Sequence, residues 1–350
     1  MFTLMLPCAG SSSRYPNMRP KWSLTHPNGR LMVTQGIRGI DLSNFDSICM
    51  AVLKEDLDKY GLRDAVYKSF EEFNLKFTLL ELEEPTSSQS ETVSVMIDTL
   101  KLDGNIFIKD CDDYFNVEDI EPDNVCVYSL QKLDEVIAKN KSYVDIDNNG
   151  YVKTIVEKRV ISELFCCGGY SFSDAKLFSS TFKKLKDVVN ESEVYVSHVI
   201  HQQLLDGYKF KIKEVDDYCD WGTLKDWNKY KSQYKTIFID LDGVLVESSA
   251  ELFKPYWGTT DAIKENVTFI NKLYNTGKVR IIITTSRKSS YKEVTISQLE
   301  KLGIKYHDII FDLLHCERVL VNDYSKTNSY PTAKSCNLSR NSKQLEDLLK

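Results

Sequence analysis

Short apolar runs recur along the chain, and amphipathic stretches separate them. The runs "FTLMLP", "SICMAVL", "FTLLEL", "NIFIKD", "NVCVYSL", "YVKTIVEK" and "FKIKEV" have the length and side chains of buried or half-buried strands. Between them the 3.6-residue period predicts helices over Asp56 to Asn74, Ser90 to Leu100 and Val194 to Leu205. After the polar stretch "DWNKYKSQYK" a second series begins: "TIFIDLDG", a helix near Thr260 to Thr276, "KVRIIITTS", a helix near Tyr291 to Leu302, then the strands "DIIFD" and "RVLVND". Strands alternating with helices predict an α/β protein. The break near Tyr230 to Tyr234 divides it into domains at 1–232 and 233–350, without a long flexible linker.

Composition narrows the class. The 350 residues are 42% hydrophobic and 27% charged, with a formal net charge of −6. A soluble globular protein is expected, and the acidic balance argues against nucleic acid or a membrane surface as partner. No apolar run approaches the roughly 20 residues of a membrane span, and a basic leader is missing, so a cytoplasmic location is expected. The nine cysteines show no zinc-ligand spacing and are expected as reduced, buried thiols. A homo-oligomer is left open.

The sharpest local signals sit at strand ends. In "LPCAGSSSRYPNMRPKW" a buried strand runs into the small residues Ala9, Gly10, Ser11, Ser12 and Ser13, followed by Arg14 and Lys21. Such a loop brings backbone N–H groups close to a phosphate, whose charge the two cations would meet; the same residues also suit an ordinary turn. "IKDCDDYF" ends a strand in carboxylates, and strand alternation puts Asp110 and Asp112 on one face. "TIFIDLDGVLV" ends a strand in Asp240 and Asp242.

Taken in order, five stretches of the first domain resemble the sugar-phosphate nucleotidyltransferase family: the opening loop, "IKDCDDYF", "VEKRVISELFCCGGYSF", "ESEVYVSHVIHQQLLDGYKF" and "CDWGT". The resemblance implies a Rossmann-like, GT-A-like mixed sheet with helices on both faces. It implies transfer of a nucleotidyl group from a nucleoside triphosphate to a sugar- or polyol-phosphate, with release of pyrophosphate. By the same resemblance Arg14 holds the β/γ-phosphates, Lys21 faces the α-phosphate, and Mg²⁺ sits on Asp220 and Asp112, with Asp110 as the alternative within "DCDD". Asp113 is expected to be solvated or capping. Glu157 and Lys158 would contact a sugar hydroxyl and the sugar phosphate, and Gly169 would line that pocket. "PTSSQSETV" occupies the family's base-contacting stretch, so Gln89 is a nucleotide-binding candidate, although the usual Gly-Thr-Ala run is missing and the base stays open.

The second domain resembles the haloacid dehalogenase-like (HAD-like) hydrolases, with a Rossmannoid fold and little or no cap. That resemblance makes Asp240 the nucleophile, Asp242 the acid/base, Thr285 (alternatively Thr284) the phosphate-binding hydroxyl, and Asp240, Asp242 and Asp323 the Mg²⁺ ligands. The family's lysine is missing before the last strand, leaving Lys326, Lys292 or Arg287 as substitutes. The expected protein is bifunctional, a nucleotidyltransferase joined to a phosphatase in precursor synthesis for a surface polysaccharide. The alternative is a second domain that is a catalytically silent binding or oligomerisation module.

Overall fold

Strand β1 (Phe2–Pro7) is almost wholly apolar because both its faces are buried: Leu4 and Leu6 enter one core and Met5 the opposite one. The computed structural model describes residues 1–10, 14–133, 141–188, 193–323 and 332–349. They divide into two compact units, Met1–Tyr230 and Lys231–Lys350.

The strands of the first unit are β1, β2 (Ser47–Leu53), β3 (Lys76–Leu82), β4 (Asn105–Lys109), β5 (Asp113–Asn116), β6 (Asn124–Ser129), β7 (Ser142–Ile146), β8 (Val152–Glu157), β9 (Leu164–Phe172), β10 (Lys211–Glu214) and β11 (Asp216–Asp220). Nine of them form one sheet in the order β10-β6-β9-β4-β1-β2-β3, with β7 pairing β8 and β9. The sheet is mixed: β1 lies parallel to β2 and β4, whereas β9 is antiparallel to β4 and β6. Helices α1 (Met32–Ile37), α2 (Lys54–Tyr60) and α3 (Arg63–Phe70) cover one face through Val33, Ile37, Leu57, Val66 and Phe70. Helices α4 (Gln89–Leu100), α5 (Ala175–Val188) and α6 (Val196–Leu205) cover the other through Val93, Met96, Phe178, Phe182 and Val199. The remaining strands, β5 and β11, pair antiparallel as a small separate ladder. Helix α7 (Leu224–Lys231) follows it.

The single helix expected over Asp56 to Asn74 is two. Gly61, at φ +63°, caps α2 in the left-handed region and turns the chain before α3.

The second unit contains a three-stranded parallel sheet, β12 (Lys235–Asp240), β13 (Val279–Thr284) and β14 (Asp308–Ile310), in that order. Helices α8 (Lys264–Asn275), α9 (Lys292–Lys301) and α10 (Leu345–Leu349) join a core with Ile239, Ile281 and Ile283. The strand expected at "RVLVND" is not formed. Val319, Leu320 and Val321 are 75%, 56% and 87% exposed, and no ladder partner meets them among the described residues. An apolar run becomes a strand only where another strand satisfies its backbone.

Candidate active site

Strand β4 ends at Lys109, and the turn "DCDD" leads directly into β5. This turn gathers Asp110, Asp112 and Asp113, with one carboxylate oxygen from each within 4.8 Å of the others. The ladder of β5 with β11 sets Asp220 opposite Asp113, and the Trp221 N–H donates to the Asp112 carbonyl at 2.8 Å. Residues more than a hundred positions apart thereby meet. The Asp220 carboxylate accepts the Gly222 N–H at 2.7 Å. A side chain at Gly222 would stand 2.9 Å from Asp220 Oδ1 and 3.4 Å from both Asp112 Oδ2 and Arg14 Nη1, so its absence leaves open the space on which these groups converge. Gly168 does the same on the other side, where a Cβ would meet the carboxylates of Asp110 and Asp113.

The four carboxylates are not equivalent. Asp113, expected in solvent or as a cap, is instead buried and paired with Lys109, whose ammonium also donates to the Asp110 carbonyl at 2.8 Å. Burial pushes the Asp113 carboxyl up, and the Lys109 charge opposes that shift. Burial also acts on Asp112, but Lys21, 2.5 Å from Oδ2, and then Arg14 and Lys141 hold its carboxyl down at about 2. The burial of Lys21 is likewise overcome by Asp112, and its ammonium is raised. Asp110, raised by burial and by the Asp112 charge, accepts the Gln89 amide at 2.5 Å. Gln89, a candidate for base contact, thus lies against the carboxylate cluster, while Ser88 caps α4 by accepting the Glu91 N–H at 3.1 Å.

The loop after β1 leads to this cluster. Ala9 is buried and Gly10 exposed; the predicted phosphate-cradling Ser11, Ser12 and Ser13 lie outside the described residues. Past them, the Tyr15 hydroxyl donates to the carbonyls of Trp221 and Thr223, which ties the loop to the "DWGT" turn. Arg14 reaches within 4.0 Å of Asp112 Oδ2. Lys141, which belongs to none of the sequence motifs, completes the set, donating to Asp220 Oδ2 at 2.5 Å and to the Tyr218 hydroxyl at 2.6 Å. No sequence signal marks it, because its role comes from where β7 starts rather than from its neighbours in the chain.

A cleft of about 690 Å³ is lined by Glu157, Lys158, Glu193, Tyr195, His198 and His201 among others. Glu157 accepts from the hydroxyls of Ser142 and Ser197, and Lys158 donates to the Tyr195 hydroxyl. Lys158 stands at φ +55° at the end of β8, and its N–H donates to the Lys141 carbonyl at 3.0 Å. Gly169 pairs with Lys109, and the space of its missing side chain is bounded by Phe115 and Cys126, so the glycine bordering the carboxylates is Gly168.

In the second unit Asp240 and Asp242 do emerge at the end of β12, with Thr284 at the end of the adjacent β13 and Thr285 just beyond it. Each carboxylate has an arginine. Arg318 donates to Asp240 at 3.0 Å and to the Thr284 hydroxyl at 3.3 Å. Arg287, fully buried, grips Asp242 with two bonds of 2.8 Å and is itself held by Thr295 and Gln298. Burial raises the Asp240 carboxyl, and Arg318 offsets part of the shift. Thr285 is buried, and its hydroxyl accepts the Arg287 N–H at 3.1 Å. Asp323, expected as the third acidic ligand, is not brought to this edge: it is exposed, and its described bonds are with Asn322 and Thr332. The strand that would carry it does not form, so the described residues here do not assemble the expected Mg²⁺ set. Lys326 lies outside the described residues, and Lys292 is the first residue of α9.

The first unit does fit a hard divalent cation. The carboxylates of Asp110, Asp112 and Asp113 gather closely enough to share one cation, Asp113 being already paired with Lys109, and Asp112 borders the space that Gly222 leaves open, with Asp220 beside it; all offer only carboxylate oxygens, the donors Mg²⁺ prefers. No helix among the described residues is long and apolar enough to cross a membrane.

No protein-family model and no curated protein matches the chain. Solved structures do. A nucleoside-diphosphate-sugar pyrophosphorylase from Vibrio cholerae matches at TM-score 0.55 and 17% identity, over 65% of this chain and 98% of that one. A protein named as a glucose-1-phosphate thymidylyltransferase from Bacillus anthracis matches at TM-score 0.51 and 18% identity, over 65% and 93%. The inositol-1-phosphate CTP transferase from T. maritima matches at TM-score 0.50 and 14% identity, over 64% and 90%. These neighbours lie over the N-terminal ~65% of the chain, whose mixed α/β sheet is therefore of the kind found in nucleotidyltransferase structures.

Proposed function

We propose that the first unit transfers a nucleotidyl group from a nucleoside triphosphate to the phosphate of a sugar or polyol. A phosphate oxygen of the acceptor attacks the α-phosphorus, the bond from that phosphorus to the bridging oxygen breaks, and pyrophosphate leaves. The observation that carries this reading is the convergence of Arg14 and Lys21 with Asp112 and Asp220 on one open space. Two anions must approach each other in this reaction, so the site needs fixed cations and preorganised donors more than an acid or base. Arg14 meets the β/γ-phosphates and Lys21 the α-phosphate. Asp112 and Asp220, with Asp110 oriented by Gln89, hold Mg²⁺, which when bound neutralises phosphate charge. Glu157 and Lys158 take the acceptor's hydroxyl and phosphate in the cleft they line, with Gly169 in the strand behind it.

The test is pyrophosphate release by the purified chain with Mg²⁺, each of four nucleoside triphosphates and a panel of sugar and polyol phosphates. Release should require both substrates. Arg14→Ala or Lys21→Ala should lower it by roughly 10²–10³-fold, the scale of one lost transition-state contact. Near-wild-type release in both variants would remove the assignment.

For the second unit we propose phosphate-monoester hydrolysis through an aspartyl phosphate on Asp240, with Asp242 as proton donor, in a pathway that supplies surface-polysaccharide precursors. A second reading, a silent binding or oligomerisation module, is favoured by the arginine held on each carboxylate and by the position of Asp323. Phosphate release from a phosphate ester that disappears in Asp240→Asn supports the first reading; equal release in both proteins, or none in either, supports the second.

A further inference from the structure

Lys141 sits between the two halves of the candidate site. Its ammonium is 2.5 Å from Asp220 Oδ2 and 2.6 Å from the Tyr218 hydroxyl, and it lies over the rings of Tyr218 and Phe165, 5.2 and 5.9 Å from their centres. Its backbone belongs to the other half: the Lys141 carbonyl accepts the Lys158 N–H, and the next residue, Ser142, donates its hydroxyl to Glu157. Thus one residue joins a metal-site carboxylate to the two side chains that line the acceptor cleft. Arg14 and Lys21, by contrast, approach Asp112 from the loop after β1.

The Lys109–Asp113 pair is self-contained; Arg14 and Lys21 meet Asp112, the Gln89 amide meets Asp110, and Lys141 meets Asp220. A divalent cation on Asp220 competes with the ammonium for the same carboxylate and repels it at short range. An ammonium loosened from Asp220 needs a new anion, and its backbone stays tied to Lys158, whose side chain lines the cleft assigned above to the acceptor phosphate.

We propose that Lys141 is a further catalytic residue: it neutralises Asp220 while no metal is bound, and when a divalent cation takes that carboxylate it contacts the phosphate of the acceptor. This rests on the nucleotidyltransferase reading above. The bonds made and broken are those of that reaction. Lys141 keeps its proton throughout and adds a fixed positive charge beside the attacking phosphate oxygen, which lets two anions approach.

The experiment uses the full chain with Lys141→Met, Lys141→Gln and Lys141→Arg, read only in variants whose melting temperature matches wild type. Mn²⁺ binding, followed by electron paramagnetic resonance without nucleotide, should tighten by roughly tenfold in the Met and Gln variants, the scale on which groups around metal ligands tune affinity. The Arg variant should stay near wild type. In the pyrophosphate assay, kcat should fall roughly 10²-fold and KM for the acceptor phosphate should rise, with KM for the triphosphate unchanged and partial recovery in the Arg variant. Unchanged Mn²⁺ affinity in the neutral variants overturns the proposal, as does a rise in KM for the triphosphate alone. If wild type releases no pyrophosphate with any acceptor, the functional reading fails, and the Mn²⁺ measurement still decides whether Lys141 guards Asp220.

Discussion

Lys109 is fully buried, and its charge is met by Asp113 and by two carbonyls of the turn it supports. The pair stands behind the metal-site carboxylates rather than among them, so its first effect is on the shape of "DCDD". Lys109→Met leaves an unpaired buried carboxylate and should cost about 3–5 kcal/mol, read as a lower melting temperature by calorimetry. Adding Asp113→Leu should recover most of that loss, because the uncompensated charge is then gone. A double variant as unstable as the single one would mean that the lysine acts through packing, not charge. Beside this pair Asp112 and Asp110 differ in what their neighbours do to them: Lys21, Arg14 and Lys141 hold Asp112 down, whereas burial and the Asp112 charge raise Asp110. Asp112→Asn should therefore weaken Mg²⁺ dependence of pyrophosphate release more than Asp110→Asn does; the reverse order would make Asp110 the principal ligand.

At the scale of elements, the ladder of β5 with β11 decides the site, because it brings Asp220 to Asp112. The glycines beside it are there for space. Gly222→Ala would place a methyl group 2.9 Å from Asp220 Oδ1, and its expected effect is weaker Mn²⁺ binding at little change in melting temperature. Equal Mn²⁺ affinity in Gly222→Ala and wild type would show that the cation sits elsewhere. Helix α7 closes the unit through His26. The ring accepts the Asn28 N–H at Nδ1, so Nε2 carries the proton and donates to the Tyr230 hydroxyl at 3.0 Å. Burial lowers the pKa of His26. Above about 6.5 the ring is neutral both folded and unfolded; below it the unfolded chain binds the proton first, so the contribution of His26 to stability is lost as pH falls. The melting temperature of the first unit should drop between pH 7 and 5.5, less steeply in His26→Gln. Parallel slopes would remove His26 from that pH dependence.

For the molecule as a whole, the question is why two units share a chain. On the phosphatase reading proposed above, tethering raises the local concentration of an intermediate that both units handle, and the favoured order trims a bisphosphate acceptor to a monophosphate before transfer. With the full substrate mixture, Asp240→Asn should therefore accumulate a bisphosphate, detected by mass spectrometry, while pyrophosphate release from a monophosphate acceptor continues. A nucleotide-linked product bearing an extra phosphate would reverse the order of the two steps. Unchanged products at unchanged rate would leave the second unit as a binding module.

Local signals determined much of this. Apolar runs with both faces buried announced β1, β2 and β4, and small residues, carboxylates and cations at strand ends singled out Arg14, Lys21 and Asp112 as candidates, while Asp220 came only from the resemblance of "CDWGT". A strand end also marked the pair Asp240 and Asp242. Tertiary structure decided the rest. Asp113 looks like any surface acid in sequence, and only the fold buries it against Lys109. Lys141 carries no motif; it acquires a role because β7 begins where β11 ends its ladder. "RVLVND" has the side chains of a strand but meets no partner among the described residues, and Asp323 goes with it. Periodicity records which faces of a segment are apolar. Which backbone groups find partners, and which distant charges meet, depends on pairings between segments far apart in the chain, and no local pattern encodes those.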